Sequence, residues 1–142
     1  MSAGGAGRPS AVAIDDLVAA AREARDRAYA PYSNFHVGAA ILANGRAFTG
    51  VNVEIASYPL SVCAERNAAA AAVMAGVTSF DAVAVVTDDK TPTPPCGGCR
   101  QVLHEFGPKM LVVSEVDGGQ RAEWTLPDLL PAAFDAASLQ DR

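Results

Sequence analysis

Apolar residues recur at helical spacing near the start of the chain: Ile14, Leu17, Val18, Ala21 and Ala28, with Arg22, Glu23, Arg25 and Asp26 between them. Steps of three and four residues gather such positions on one face, so the pattern predicts an amphipathic helix that ends before Pro31. From Phe35 to Leu42 the pattern turns strand-like. Asn44-Gly45 then supplies a two-residue hairpin turn, and a second strand is expected through Phe48 to Val53. Val62 to Ala75 is rich in alanine and meets Gly76, as a helix meets its C-terminal stop.

The second half alternates in the same way. Ala82 to Val86 is a short apolar run suited to a buried strand, and Asp88 to Pro95 holds three prolines that exclude both helix and ladder. A short helix is expected from near Cys96 to Gly107, then a strand over Met110 to Val113. Gly118-Gly119 turns the chain, Trp124 falls on a last strand, and Leu126 to Phe134 reads as helical with a break at Pro131. Strands alternating with helices predict a three-layer α/β/α sandwich with a mixed sheet. The 142 residues suffice for one domain, expected over 11–142 behind a flexible leader at 1–10 that carries Gly4, Gly5, Gly7 and Pro9.

Charge narrows the partners. The net charge is −5 with only 11 basic residues and no basic run, which disfavours a long nucleic acid and favours a small uncharged substrate. No apolar run nears the roughly 18 residues that cross a bilayer, and the leader has no hydrophobic stretch of a secretory signal. A cytoplasmic setting is expected. There the three cysteines, an odd number, would be free or metal-bound.

The chemistry concentrates in Cys63-Ala64-Glu65 and Pro95-Cys96-Gly97-Gly98-Cys99. Both segments fall at an expected helix start, where unpaired N–H groups and the helix dipole favour a thiolate. Three thiolates converging from two helix starts suit a tetrahedral Zn²⁺, one per chain, and leave one position open for chemistry. Two other readings stand beside this one. Cys96 and Cys99 alone would serve as a redox pair, and a closed structural zinc would need a histidine. His104 lies about 140° and roughly 7.5 Å from Cys99 along a helix, a poor co-ligand; His36, near a strand start, stays open.

Glu65 stands two residues past a ligand. Alone it is a first-turn carboxylate stabilised by the dipole. Beside an open zinc it becomes the general acid/base that takes and returns the proton of an activated water.

These segments occur with Tyr32-Ser33-Asn34-Phe35-His36-Val37-Gly38-Ala39-Ala40, Gly50-Val51-Asn52-Val53-Glu54, Cys63-Ala64-Glu65-Arg66, Pro95-Cys96-Gly97-Gly98-Cys99-Arg100-Gln101-Val102-Leu103 and Leu129-Leu130-Pro131-Ala132-Ala133-Phe134. In this order and spacing the sequence resembles the small homotetrameric zinc-dependent cytidine deaminases, over nearly the whole stretch from Ile14 to Phe134. The resemblance implies a cytidine deaminase-like fold and the hydrolytic deamination of cytidine and deoxycytidine to their uracil counterparts, in pyrimidine salvage. It implies that Asn52 and Glu54 hydrogen-bond the ribose hydroxyls, and that Phe35 walls the nucleoside. The backbone of Ala64 reads the pyrimidine edge together with Glu65, Arg66 hydrogen-bonds the zinc thiolates, and Phe134 packs on the base of a neighbouring subunit's site. A cation near Cys63 also has a physical reason, since three thiolates leave a Zn²⁺ site at a net charge of about −1.

Ile55 departs from the family, which usually has Asn there. Without the resemblance, Asn52 and Glu54 are a turn after a strand, and Phe35, Tyr58, Trp124 and Phe134 are packing; Arg100 and Gln101 are helix surface or subunit contact. The alternatives in function are a deaminase of a cytosine-containing antibiotic such as blasticidin S, and a zinc-stabilised binding module without chemistry.

Overall fold

The computed structural model describes residues 7–140. Residues 1–6 of the expected leader lie outside the described residues; of its remainder, Arg8 pairs with Glu123 and the Ser10 hydroxyl accepts from the Ala13 N–H at 3.1 Å. Ser10 is thereby the N-cap of helix α1, Ala11–Arg25.

Five strands form one sheet in the order β2-β1-β3-β4-β5: β1 Val37–Ala43, β2 Arg46–Val51, β3 Ala82–Thr87, β4 Leu111–Val116 and β5 Arg121–Thr125. β3 and β4 are parallel and every other pair is antiparallel, so the sheet is mixed as expected. Asn44 and Gly45 both take positive φ, 53° and 70°, in the hairpin between β1 and β2. Helices α2, Ala64–Met74, and α3, Gly97–Phe106, follow β2 and β3.

Strand side chains alternate between two cores. Ala40, Ala82, Ala84, Val86 and Val113 pack with Ile14, Leu17, Val18 and Ala21 of α1. Ala39, Ile41, Val83, Val85 and Val112 pack instead with Ala64, Ala68, Ala72 and Leu103 of α2 and α3. One helix covers one face and two cover the other, giving the three layers the alternation predicts.

Several boundaries differ from the sequence expectation, among them the end of β2, at Val51 rather than Val53, and the end of β4, at Val116 rather than Val113. α1 ends at Arg25 rather than continuing through Ala28, because Tyr29 leaves the helix to exchange backbone hydrogen bonds with Asn52 and Glu54 at 3.0 and 2.9 Å. β1 begins at Val37 rather than Phe35, since the Asn52 side chain takes the Phe35 carbonyl and the Val37 N–H. The expected helix from Leu126 to Phe134 stops after four residues, α4 Leu126–Leu129. Pro131 cannot continue it, and Ala132 turns the chain at φ 54°.

The absence of a side chain at Gly50 is what lets α2 sit directly on β2. A Cβ there would lie 2.3 Å from the Ala68 nitrogen and 2.5 Å from the Ala64 oxygen, both backbone atoms of α2. Nothing flexible can move aside, so Gly50→Ala should destabilise the fold by about 3 kcal/mol or more, the upper end of overpacking costs. The urea midpoint reads this directly. An unchanged midpoint would show that α2 shifts freely against the sheet.

Candidate active site

Two helix starts converge on one place. Cys63 is the N-cap of α2 and Cys96 the N-cap of α3, each with extended backbone, as the loops before them require. Cys99 lies one turn into α3 and is completely buried. The sulfurs of Cys63 and Cys96 stand 4.0 Å apart, those of Cys96 and Cys99 3.4 Å, and all three lie within 4.8 Å of one another. A tetrahedral zinc with bonds of about 2.3 Å needs ligand sulfurs about 3.8 Å apart, so this set fits the ion. Among the described residues it is the one cluster of histidine, cysteine or acidic side chains that would hold a metal. His36 is not part of it. Its Nδ1 lies 2.6 Å from Asp88, which closes the alternative of a histidine completing the site.

The charge of the thiols is managed by their surroundings. Cys63 is held well below the ordinary thiol range, first because the Cys99 thiol donates to it and also because the Arg66 guanidinium stands 3.9 Å away. Cys99, the donor of that bond and buried, is pushed up. Arg66 also keeps a buried Nε with no hydrogen-bond partner among the described residues.

Glu65 is 5% exposed, in the first turn of α2. Burial pushes its carboxyl up to about 7 and the neighbouring Cys63 adds to the rise, while its own backbone N–H and Arg66 pull the other way. A carboxyl poised near neutrality can both accept and return a proton at working pH.

A pocket of about 430 Å³ opens on this cluster. Cys63, Cys96, Ala64 and Glu65 line it together with Phe35, Asn52 and Glu54, from four separate segments of the chain. Asn52 and Glu54 fix the segment that carries Phe35. Asn52 bonds Val37 N–H at 2.9 Å and the Phe35 carbonyl at 2.8 Å; Glu54 accepts from the backbone N–H groups of Tyr32 and Ser33 at 3.1 and 3.0 Å, and from the Ser33 hydroxyl. The Ser33 hydroxyl is the main reason the Glu54 carboxyl sits below the usual range, with the two backbone donors adding to it. An amide offers four hydrogen-bonding positions and a carboxylate about four, so each side chain retains capacity for a ligand.

The model of the cytidine and deoxycytidylate deaminase zinc-binding region matches residues 13–115. The chain belongs to this deaminase family. A cytidine deaminase of Sporosarcina psychrophila is 44% identical over 129 residues, covering 89% of this chain and 94% of the relative. A crystal structure of cytidine deaminase from Burkholderia pseudomallei superposes with a TM-score of 0.81 at 49% identity, covering 84% of this chain and 98% of that one. That of the Mycobacterium tuberculosis cytidine deaminase gives 0.75 at 41% identity, covering 85% and 96%. The five-stranded mixed sheet and flanking helices are thus those of a cytidine deaminase-like fold.

Deaminase family membership does not by itself say how the pocket is held in shape. Arg100, read from sequence as helix surface or subunit contact, ties the metal turn inward: its Nε donates to the Pro95 carbonyl at 2.7 Å and its Nη1 to the Leu129 carbonyl at 2.8 Å. Gln101 donates to the Phe134 carbonyl at 2.7 Å. Phe134 itself is 55% exposed and does not line the pocket of its own chain. Tyr58 lines the pocket rather than the core, whereas Trp124 packs against the core as expected. Ser33 also reaches the pocket from the segment that carries Phe35, and Thr93 and Pro94 reach it with no local signal that marks them.

Proposed function

We propose that the protein hydrolyses cytidine and deoxycytidine to the corresponding uracil nucleosides and ammonia, with Cys63, Cys96 and Cys99 holding one zinc ion. The observation that carries this is a single pocket combining three convergent thiols, a buried acid poised near neutrality, and an Asn–Glu pair with hydrogen-bonding capacity to spare. When bound, the zinc supplies Lewis acidity, lowering the pKa of a water toward neutrality.

Glu65 serves as the proton carrier: it takes the proton of the attacking water, delivers one to N3 of the pyrimidine as C4 becomes tetrahedral, and later passes one to the departing amine. The backbone of Ala64 reads the pyrimidine edge beside it. The N-termini of α2 and α3 and the Arg66 guanidinium offset the negative charge of the three thiolates. Phe35 forms an apolar wall, and Asn52 and Glu54 receive the ribose hydroxyls. Asn52 and Glu54, with hydrogen-bonding capacity to spare, support a ribose- or deoxyribose-bearing nucleoside over blasticidin S.

We infer a homotetramer with active sites shared between subunits. The half-exposed ring of Phe134, held away from its own pocket, supports its delivery to a neighbour's. Exposed Tyr58 and Leu60 next to the pocket would find cover in such an assembly. No helix of the described residues is long and apolar enough to cross a membrane. We place the enzyme in the cytoplasm, where reducing conditions keep its three thiols available to metal, and in pyrimidine salvage.

An ultraviolet assay with cytidine, cytosine and blasticidin S tests this. Cytidine should exceed free cytosine by about tenfold or more in kcat/KM, since an unfilled charged site forfeits on the order of 1–3 kcal/mol. Equal efficiency on cytosine would refute the ribose pocket, higher efficiency on blasticidin S would replace the substrate, and no turnover with zinc bound would leave a binding module.

A further inference from the structure

The Phe35 wall is held on one side by Asn52 and on the other by a residue outside every motif above. Asp88 follows β3 directly and opens the proline-rich loop that leads to Cys96. Its Oδ2 accepts from the His36 backbone N–H at 2.9 Å and lies 2.6 Å from His36 Nδ1. Its Oδ1 lies 3.6 Å from Arg25 Nη1, at the end of α1. The same Arg25 nitrogen donates to the Thr87 carbonyl at 2.9 Å, and Arg25 Nη2 bonds Asp117 at 2.9 Å. Arg25 therefore fixes Asp88 to the end of β3, and Asp88 fixes His36 to both.

The β1–β3 ladder ends at the Val37–Thr87 pair, and the clasp carries that junction past the ladder, toward Phe35 on one wall and the loop after β3 on the other. Phe35 and Val37 flank His36 and line the pocket on one side of the clasp; Thr87 precedes Asp88 and lines it on the other, with Thr93 and Pro94 further along the same loop. Nothing else among the side-chain hydrogen bonds of the described residues ties the 35–37 segment to the loop after β3. The anchor is ionic as well as geometric. Burial would raise the Asp88 carboxyl, but the hydrogen bonds from His36 and the charges of His36 and Arg25 outweigh it and hold the carboxyl below its ordinary range.

We propose that Asp88, clasped between His36 and Arg25, is a positioning residue for substrate binding: it sets the separation between the Phe35 wall and the loop that carries Pro94 and Cys96. The proposal rests on the deaminase function given above. Phe35 contacts the nucleoside away from the reacting atoms, so a displaced wall weakens ground state and transition state alike. Such a loss raises KM and leaves kcat in place. A fold-stabilising ion pair without this role would lower the melting temperature and leave KM alone.

The test compares zinc-loaded wild type with Asp88→Ala, Asp88→Asn, His36→Ala and Asp117→Ala on cytidine. Asp88→Ala should keep about one zinc per chain and raise KM by about tenfold, with kcat within about twofold, within the range that misplaced binding groups produce. His36→Ala should raise KM less, because the backbone N–H of residue 36 still reaches Asp88. The double variant of Asp88 and His36 should be no worse than Asp88→Ala alone, as expected of two groups acting as one unit. Asp117→Ala removes the other carboxylate partner of Arg25 but touches neither wall, and its KM should match wild type.

An unchanged KM in folded, zinc-loaded Asp88→Ala overturns the proposal, as does an equal rise in Asp117→Ala. Should Asp88→Ala fail to fold, the near-isosteric Asp88→Asn is judged by the same split between KM and kcat. Absence of turnover in the wild type itself would overturn the deaminase function and this proposal together; wild-type turnover with unaltered Asp88 variants overturns this proposal alone.

Discussion

Glu65→Gln should retain one zinc per chain and lose at least about a thousandfold in kcat on cytidine, within the range that general acid–base groups contribute. The side chain is 5% exposed and its carboxyl is poised at about 7, which suits a group that takes up and gives back a proton within one turnover. Glutamine has the same shape and keeps a hydrogen-bonding amide, so the fold and the pocket should persist. It cannot carry the proton. Several proton transfers depend on the one carboxyl, so their losses fall on the same rate. Metal analysis paired with saturating kinetics makes the measurement. More than about a tenth of the wild-type rate, with zinc bound, would assign the proton chemistry elsewhere.

Cys99→Ala should lose the metal and the activity together. Of the three thiols it is the most enclosed, with no exposed surface, and its sulfur lies 3.4 Å from that of Cys96. Zinc bound to protein thiolates and imidazoles is worth on the order of 12 kcal/mol, so a third of it is about 4 kcal/mol, or roughly a thousandfold in affinity. The deficit is deepened by what remains. Cys63 and Cys96 sit at two helix starts with nothing between them to complete a tetrahedron, and among the described residues no histidine or carboxylate joins the cluster. Equilibrium dialysis against a chelator of graded strength reads the affinity, and the ultraviolet assay reads the rate. Full activity of a metal-free Cys99→Ala preparation would show that the thiols are structural and that the chemistry lies elsewhere.

These two variants probe the part of the protein that local sequence signals make plain. Cys63 and Cys96 stand where a loop meets a helix: an alanine-rich run follows the first, and a proline-rich loop that neither helix nor ladder can continue precedes the second. Asn44-Gly45 declares its hairpin for the same reason: both residues accept positive φ. The continuous apolar runs of β1, β3 and β4 likewise mark strands buried on both faces, while which of the two cores each side chain enters is decided by the packing.

The limits of that legibility show in particular residues. Ile14 to Ala28 reads as one helix, yet α1 ends at Arg25 because Tyr29 finds backbone partners in Asn52 and Glu54, more than 20 residues away. Leu126 to Phe134 has helical composition, yet only four residues are helical, and Phe134 is placed by Gln101. Asn52 and Glu54 were legible as a ligand pair only through the family; in the fold they also brace the segment that bears Phe35.

The sequence by itself determined the succession of helices and strands, the three thiols and the acid beside them, because each depends on backbone chemistry within a few residues. The tertiary structure alone decided which of these meet. Arg100 reaching Pro95 and Leu129, and Asp88 joining His36 to Arg25, connect segments that are neighbours only after α1 and α2 have packed on opposite faces of the sheet. Such contacts leave no periodicity in the chain. A hydrogen bond between residues 52 or 62 positions apart is set by where the layers bring their ends, and that is a property of the packed core rather than of any short stretch of sequence.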